Sequence, residues 1–161
     1  MRLWRIAVES RKYAADDLSG AGAAKFPGRW NGEGEPVVYA APTLALAVLE
    51  TAAHIDLAGL PLNRFVVEID VPDSIWAAAG DLPEAALHRS WSAVPAGMAS
   101  VQVGSAWLKE SSSAILLVPS VIVPEESVAL INPKHPDARR IKARVVRKFE
   151  YDHLFRPKNR S

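Results

Sequence analysis

The sequence predicts an α+β fold, and three features point to it. A helix-period apolar pattern sits in the first third of the chain, strand-like runs rich in β-branched residues crowd the last third, and no strict strand–helix alternation of the doubly wound kind connects them. At 161 residues, 49% of them apolar, the chain is long enough for one core, so 1–161 is expected to be a single domain. Its twelve prolines are spread out rather than gathered in a linker, which favours many short elements.

Residues 3–7 read as a short strand, carried by Leu3, Trp4 and Ile6. From 19 to 36, Gly20, Gly22, Gly28, Gly32 and Gly34 with Pro27 and Pro36 argue against any regular helix or strand, so a long loop is expected. Loops of that length inside compact domains are commonly binding loops. Residues 37–41 read as a buried strand, and Pro42-Thr43 opens a helix over 44–56 with an apolar face of Leu44, Val48, Leu49 and Ala52. Glu50 falls on another strip, between Leu46 and His54. Residues 64–71 alternate as a strand that Pro72 ends, and 73–98 is poorly legible, with a short helix at 84–89. A helix over 101–108 carries Trp107, and strands follow at 114–118, 121–123, 128–131 and 144–151.

Composition excludes several chemistries. Nineteen basic against eighteen acidic residues leave a charge of +1, which offers no field for nucleic acid or an anionic membrane. The densest basic run, Arg139, Arg140, Lys142, Arg144, Arg147 and Lys148, reads as a solvated strand face, so no direct nucleic-acid binding is expected. The absence of cysteine removes disulfides and thiolate nucleophiles, and His54, His88, His135 and His153 lack metal-ligand spacing, so no metal is expected. With no secretory signal and no apolar run near the roughly 20 residues of a membrane span, a cytoplasmic location without membrane attachment is expected. Gly20 to Lys25 fits neither a Walker loop nor a dinucleotide fingerprint, and Ser111-Ser112-Ser113 lacks a Gly-x-Ser-x-Gly frame.

Three polar residues stand out by context. Arg29, in Pro27-Gly28-Arg29-Trp30-Asn31-Gly32, reads either as a solvent-facing loop arginine or as a fork able to grip a pyrophosphate or carboxylate. Tyr39, in an aliphatic strand, reads as a core tyrosine or as a ring that stacks on a planar ligand. Glu50, after Leu-Ala-Leu-Ala-Val-Leu, reads as an exposed glutamate or as a functional carboxylate on an apolar helix.

Their order within GRWNGEGEPVVYAAPTLALAVLE resembles the amino-terminal signature of the RES domain, named for an arginine, a glutamate and a serine. SAILLVPSVIVPEESVALINPKHPDA resembles its second block, and on that pattern Ser113 is the named serine. The opening Leu-Trp-Arg-Ile, with Arg5, and Phe149-Glu-Tyr-Asp152 also fit, whereas 73–98 carries little of the resemblance.

The resemblance implies an ADP-ribosyltransferase-like split, mostly antiparallel sheet with flanking helices and an NAD cleft. It also implies a toxin of a bacterial toxin–antitoxin pair, held in an oligomeric complex by an Xre-like helix-turn-helix antitoxin that blocks the cleft. NAD would be the substrate, cleaved between nicotinamide and ribose, with water, phosphate or a protein side chain as acceptor. Within that reading Glu50 faces the developing positive charge on ribose, Arg29 holds the pyrophosphate, Tyr39 stacks on nicotinamide, and Ser113 touches ribose or orients Glu50. Arg5, Trp30 and Asn31 join the NAD-binding set, with His135 as a weaker extension. A catalytically idle, antitoxin-binding module is the rival expectation.

Overall fold

A computed structural model describes residues 1–53 and 63–150. The described residues contain strands β1 Arg2–Val8, β2 Val38–Ala40, β3 Arg64–Asp70, β4 Gly80–Asp81, β5 Ile115–Pro119, β6 Ser127–Ile131 and β7 Lys142–Phe149. The helices are α1 Ala21–Lys25, α2 Leu44–Ala52, α3 Asp73–Ala77 and α4 Met98–Glu110. One sheet has the order β1–β3–β7 and the other β2–β6–β5–β4, antiparallel except for the β4–β5 pair. Trp4 and Ala41 exchange two 2.8 Å backbone hydrogen bonds that link β1 to the end of β2. This is the α+β arrangement expected from the residue pattern, with the split, mostly antiparallel sheet that the resemblance implies.

Strand alternation sorts the core into two clusters, because successive side chains leave a strand on opposite faces. Leu3, Val67, Val38, Ile115, Ala129 and Ile131 meet Ile75 of α3 on one side. Ile6, Val66, Leu116, Val118, Val128 and Leu130 meet Leu46 and Ala47 of α2, Trp107 of α4, and Trp30 and Trp91 on the other. Trp30 and Tyr39 belong to this second cluster, and α2, which carries Glu50, packs on it.

The expected half-buried alternation of β3 is replaced by burial on both faces, with Val66, Val67 and Ile69 all sealed, because β3 is the central strand of its sheet. Even Glu68 is buried, held by Arg144 of β7 at 2.8 Å and Arg2 of β1 at 3.2 Å.

Several expectations are corrected. The 19–36 stretch is not wholly irregular: α1 forms inside it, entered through Gly20 at φ 71°, and its alanines offset the helix cost of Gly22. Residues 121–123 form a turn rather than a strand, since the Ser120 hydroxyl takes the Ile122 and Val123 N–H groups between Pro119 and Pro124. The 84–89 helix shrinks to a 3₁₀ turn, Glu84–Ala86, while α4 extends beyond 101–108 at both ends. In α2, capped by Thr43, the buried residues are Leu46 and Ala47, and Leu49 is 41% exposed. A helix apolar nearly all round leaves its inward face to packing rather than to periodicity. Glu50, one turn after Leu46, therefore lies on the inward strip, half-buried. Residues 54–56 of the expected helix, with His54, and residues 151–153, with His153, lie outside the described residues.

Candidate active site

The glycine-rich loop is held from within by Asn31, which has no exposed surface. Its Oδ1 accepts from the Gly28 N–H at 2.9 Å and the Tyr39 hydroxyl at 2.7 Å, and its Nδ2 donates to the carbonyls of Ala23, Gly32 and Glu35. The Tyr39 hydroxyl in turn accepts from the Trp30 N–H at 3.0 Å. Burial pushes the Tyr39 phenol well above its ordinary pKa, so it stays neutral and keeps donating. Gly28 is required at its position, since a Cβ there would stand 2.7 Å from the Tyr39 hydroxyl oxygen. Asn31→Ala would leave several buried N–H and C=O groups unpaired, and it is expected to cost about 3 kcal/mol in a denaturant titration.

Arg29 leaves this loop and crosses to the segment before α4. Its Nη1 donates to the carbonyls of Trp91 at 2.7 Å and Ala93 at 2.9 Å. Partial burial draws the guanidinium below its ordinary pKa, and Glu50 and then Tyr39 oppose that shift electrostatically. Arg29, Glu50 and Tyr39 thus share one electrostatic neighbourhood.

Glu50 accepts a 2.5 Å hydrogen bond from the hydroxyl of Ser120, which sits directly after β5 and is 2% exposed. Ser120 is locked in turn by the Ile122 and Val123 N–H groups, both 3.1 Å from its oxygen. Its hydroxyl proton can therefore go only toward the carboxylate. Ser120, in the Val-Pro-Ser segment of the second block, is not among the residues that the sequence singles out.

Ser113 is the corresponding correction. It lies before β5, seven residues from Ser120, or roughly 20 Å along an extended chain. Its hydroxyl accepts from Trp107 Nε1 at 3.0 Å and donates to the Ile115 carbonyl at 2.7 Å, so it anchors α4 to β5 and does not meet Glu50. Arg5 shares a strand face with Leu3 and Ala7, on the side of the other cluster, and donates to the Asp17 carbonyl at 3.2 Å. Burial lowers its pKa despite the opposing charge of Asp17. Trp30 is sealed in the core with its ring stacked on Trp91, and Asn31 is saturated by the loop, so neither presents its side chain to a ligand. His135 caps a 3₁₀ turn by accepting from the Asp137 N–H. Of the residues singled out from sequence, Tyr39 bonds to the loop that carries Arg29 and Glu50 acts on Arg29 electrostatically, whereas Ser113, Arg5, Trp30, Asn31 and His135 have polar groups or rings engaged by neighbouring parts of the fold. Among the described residues no three His, Cys, Asp or Glu side chains cluster as metal ligands, and no helix is long and apolar enough to cross a membrane.

A carboxylate bonded to a locked hydroxyl, with a guanidinium held by two backbone carbonyls within its electrostatic reach, makes up the candidate site of a small α+β domain. Residues 2–153 match the RES domain, and the chain belongs to that family. It is 56% identical over 149 residues to the "Prs ADP-ribosylating toxin" of Sphingobium sp. (strain YBL2), covering 92% of each chain. It is 40% identical to "Toxin Res" of Pseudomonas putida, over 90% of this chain and 93% of that one. Its fold is similar to that of a chain in the crystal structure of the M. tuberculosis MbcT–MbcA toxin–antitoxin complex, with a TM-score of 0.64 at 20% identity, covering 91% of this chain and 84% of that one.

Proposed function

We propose that this RES domain is a toxin that cleaves the bond between nicotinamide and ribose in NAD, with Glu50 and Arg29 on the two sides of the reacting centre. The observation that carries the reading is the Glu50–Ser120 hydrogen bond within the electrostatic reach of Arg29. In the reaction the glycosidic C–N bond breaks, nicotinamide leaves with the bonding pair, and an acceptor oxygen bonds to C1′ and gives up its proton. Positive charge builds on ribose before the acceptor arrives, and a carboxylate facing it lowers that barrier. Ser120 holds the Glu50 carboxylate in one orientation, while the Nη2 and Nε edge of Arg29 offers two donors to the pyrophosphate. The Tyr39 hydroxyl is committed to Asn31 and Trp30, which leaves stacking on nicotinamide to its half-buried ring.

Water or phosphate as acceptor gives NAD depletion, and a protein side chain gives ADP-ribosylation. The name of the Sphingobium relative favours an ADP-ribose acceptor on a protein. Nicotinamide release from NAD by the isolated protein, with and without phosphate and with no acceptor protein added, reads degradation, and labelling of a host protein by tagged NAD identifies transfer. No release and no labelling would end the proposal. An Xre-like antitoxin that covers the loop carrying Arg29 would compete with NAD; unchanged NAD affinity in the complex would count against that mode of inhibition.

A further inference from the structure

Between Pro83 and Ala99, Trp91 alone is buried; the rest of this strap is exposed or half-exposed. Its ring stacks on Trp30, the residue after Arg29, with centroids 6.0 Å apart and planes at 26°. Its carbonyl holds Arg29 Nη1 at 2.7 Å, and the Ala93 carbonyl holds the same nitrogen at 2.9 Å. Both bonds use one nitrogen, so the far edge of the guanidinium keeps its donors. The Trp30–Trp91 stack sets the gap between the glycine-rich loop and the strap, and that gap fixes where the two carbonyls stand. An arginine side chain free of such an anchor samples many rotamers, and ordering it upon ligand binding costs entropy.

We propose that Trp91 is a positioning residue for Arg29: its buried ring pins the strap so that two backbone carbonyls pre-orient the guanidinium toward the substrate's phosphates. The proposal rests on the reading that Arg29 binds the pyrophosphate. It assigns a role in the site to the part of the chain that carries least of the RES resemblance.

Trp91→Ala and Trp91→Phe in the full chain test it. Because Arg29 would grip NAD before and during cleavage alike, Trp91→Ala is expected to raise the KM for NAD about tenfold with kcat within about threefold of the parent, and Trp91→Phe to restore most of the loss. Hydrogen exchange over residues 27–32 reads the same coupling without NAD, and should quicken in the alanine variant and not in the phenylalanine one. If Trp91→Ala does not fold, Trp91→Leu keeps apolar volume without a plane to stack and takes its place. An unchanged KM, or a fall in kcat alone that tracks the folded fraction, overturns the proposal. If the parent chain leaves NAD intact, the functional reading fails, and exchange still decides the positioning role: no quickening at 27–32 overturns it.

Discussion

Glu50→Gln is expected to lower the rate of NAD cleavage by about a hundredfold to a thousandfold while leaving the fold intact, the magnitude seen when one aligned electrostatic group is removed from a catalytic site. Glutamine has the shape of glutamate and can still accept from Ser120, so the change removes charge and little else. The loss should appear in kcat more than in KM, because the positive charge rests on the nicotinamide ring in bound NAD and moves onto the ribose, where Glu50 opposes it, only as the bond breaks. Growth inhibition on expression should fall in parallel. Ser120→Ala removes only the group that aims the carboxylate, and a smaller loss is expected. A Glu50→Gln rate within about threefold of the parent would show that the carboxylate does not face the reacting ribose.

Gly104→Ala should destabilise the protein by about 3 kcal/mol, because a Cβ at Gly104 would stand 1.7 Å from the Trp30 carbonyl oxygen and 2.7 Å from its carbon. Backbone cannot rotate away as a side chain does, so α4 and the Arg29 loop would have to separate. For a chain of this size the midpoint of thermal unfolding should drop by roughly 6–12 °C. NAD turnover should fall further than the folded fraction explains, since Trp30 carries the stack beside Arg29. Gly22→Ala is the matched control: nothing lies within 4 Å of a Cβ there, the site is helical, and a gain of about 0.4–1 kcal/mol is expected. Equal effects of the two substitutions would remove the steric argument.

Much of the scaffold was legible in residue patterns. The 64–71 alternation and the β-branched runs at 114–118 and 128–131 became β3, β5 and β6 with ends shifted by a residue. Thr43 opened α2 as its side chain implied. What failed shares a physical cause. The 121–123 run has strand composition, yet the Ser120 side chain captured its N–H groups before a neighbouring strand could. The inward face of α2 was misread because Leu44 to Leu49 are apolar on every side. Segment 73–98 lacks periodicity because α3 and β4 are too short to repeat a face, and from Pro83 onward its order comes from one buried anchor, Trp91. Within the site, Arg29, Tyr39 and Glu50 were marked by polar residues in apolar or glycine-rich settings. Ser113 and Ser120 differ in nothing local that would say which one lies beside a carboxylate 70 positions away from Ser120.

By itself the amino-acid order determined an α+β chain without cysteine chemistry, a glycine-rich loop presenting an arginine, and a carboxylate on an apolar helix. Those features follow from side-chain chemistry and short-range spacing. The tertiary structure alone decided that Glu50 turns inward, that Ser120 rather than Ser113 meets it, and that Trp30, Asn31 and Arg5 support the scaffold. Each of those outcomes depends on which groups are left to satisfy one another once the two sheets close, and long-range partners of that kind are set by packing rather than by sequence neighbours.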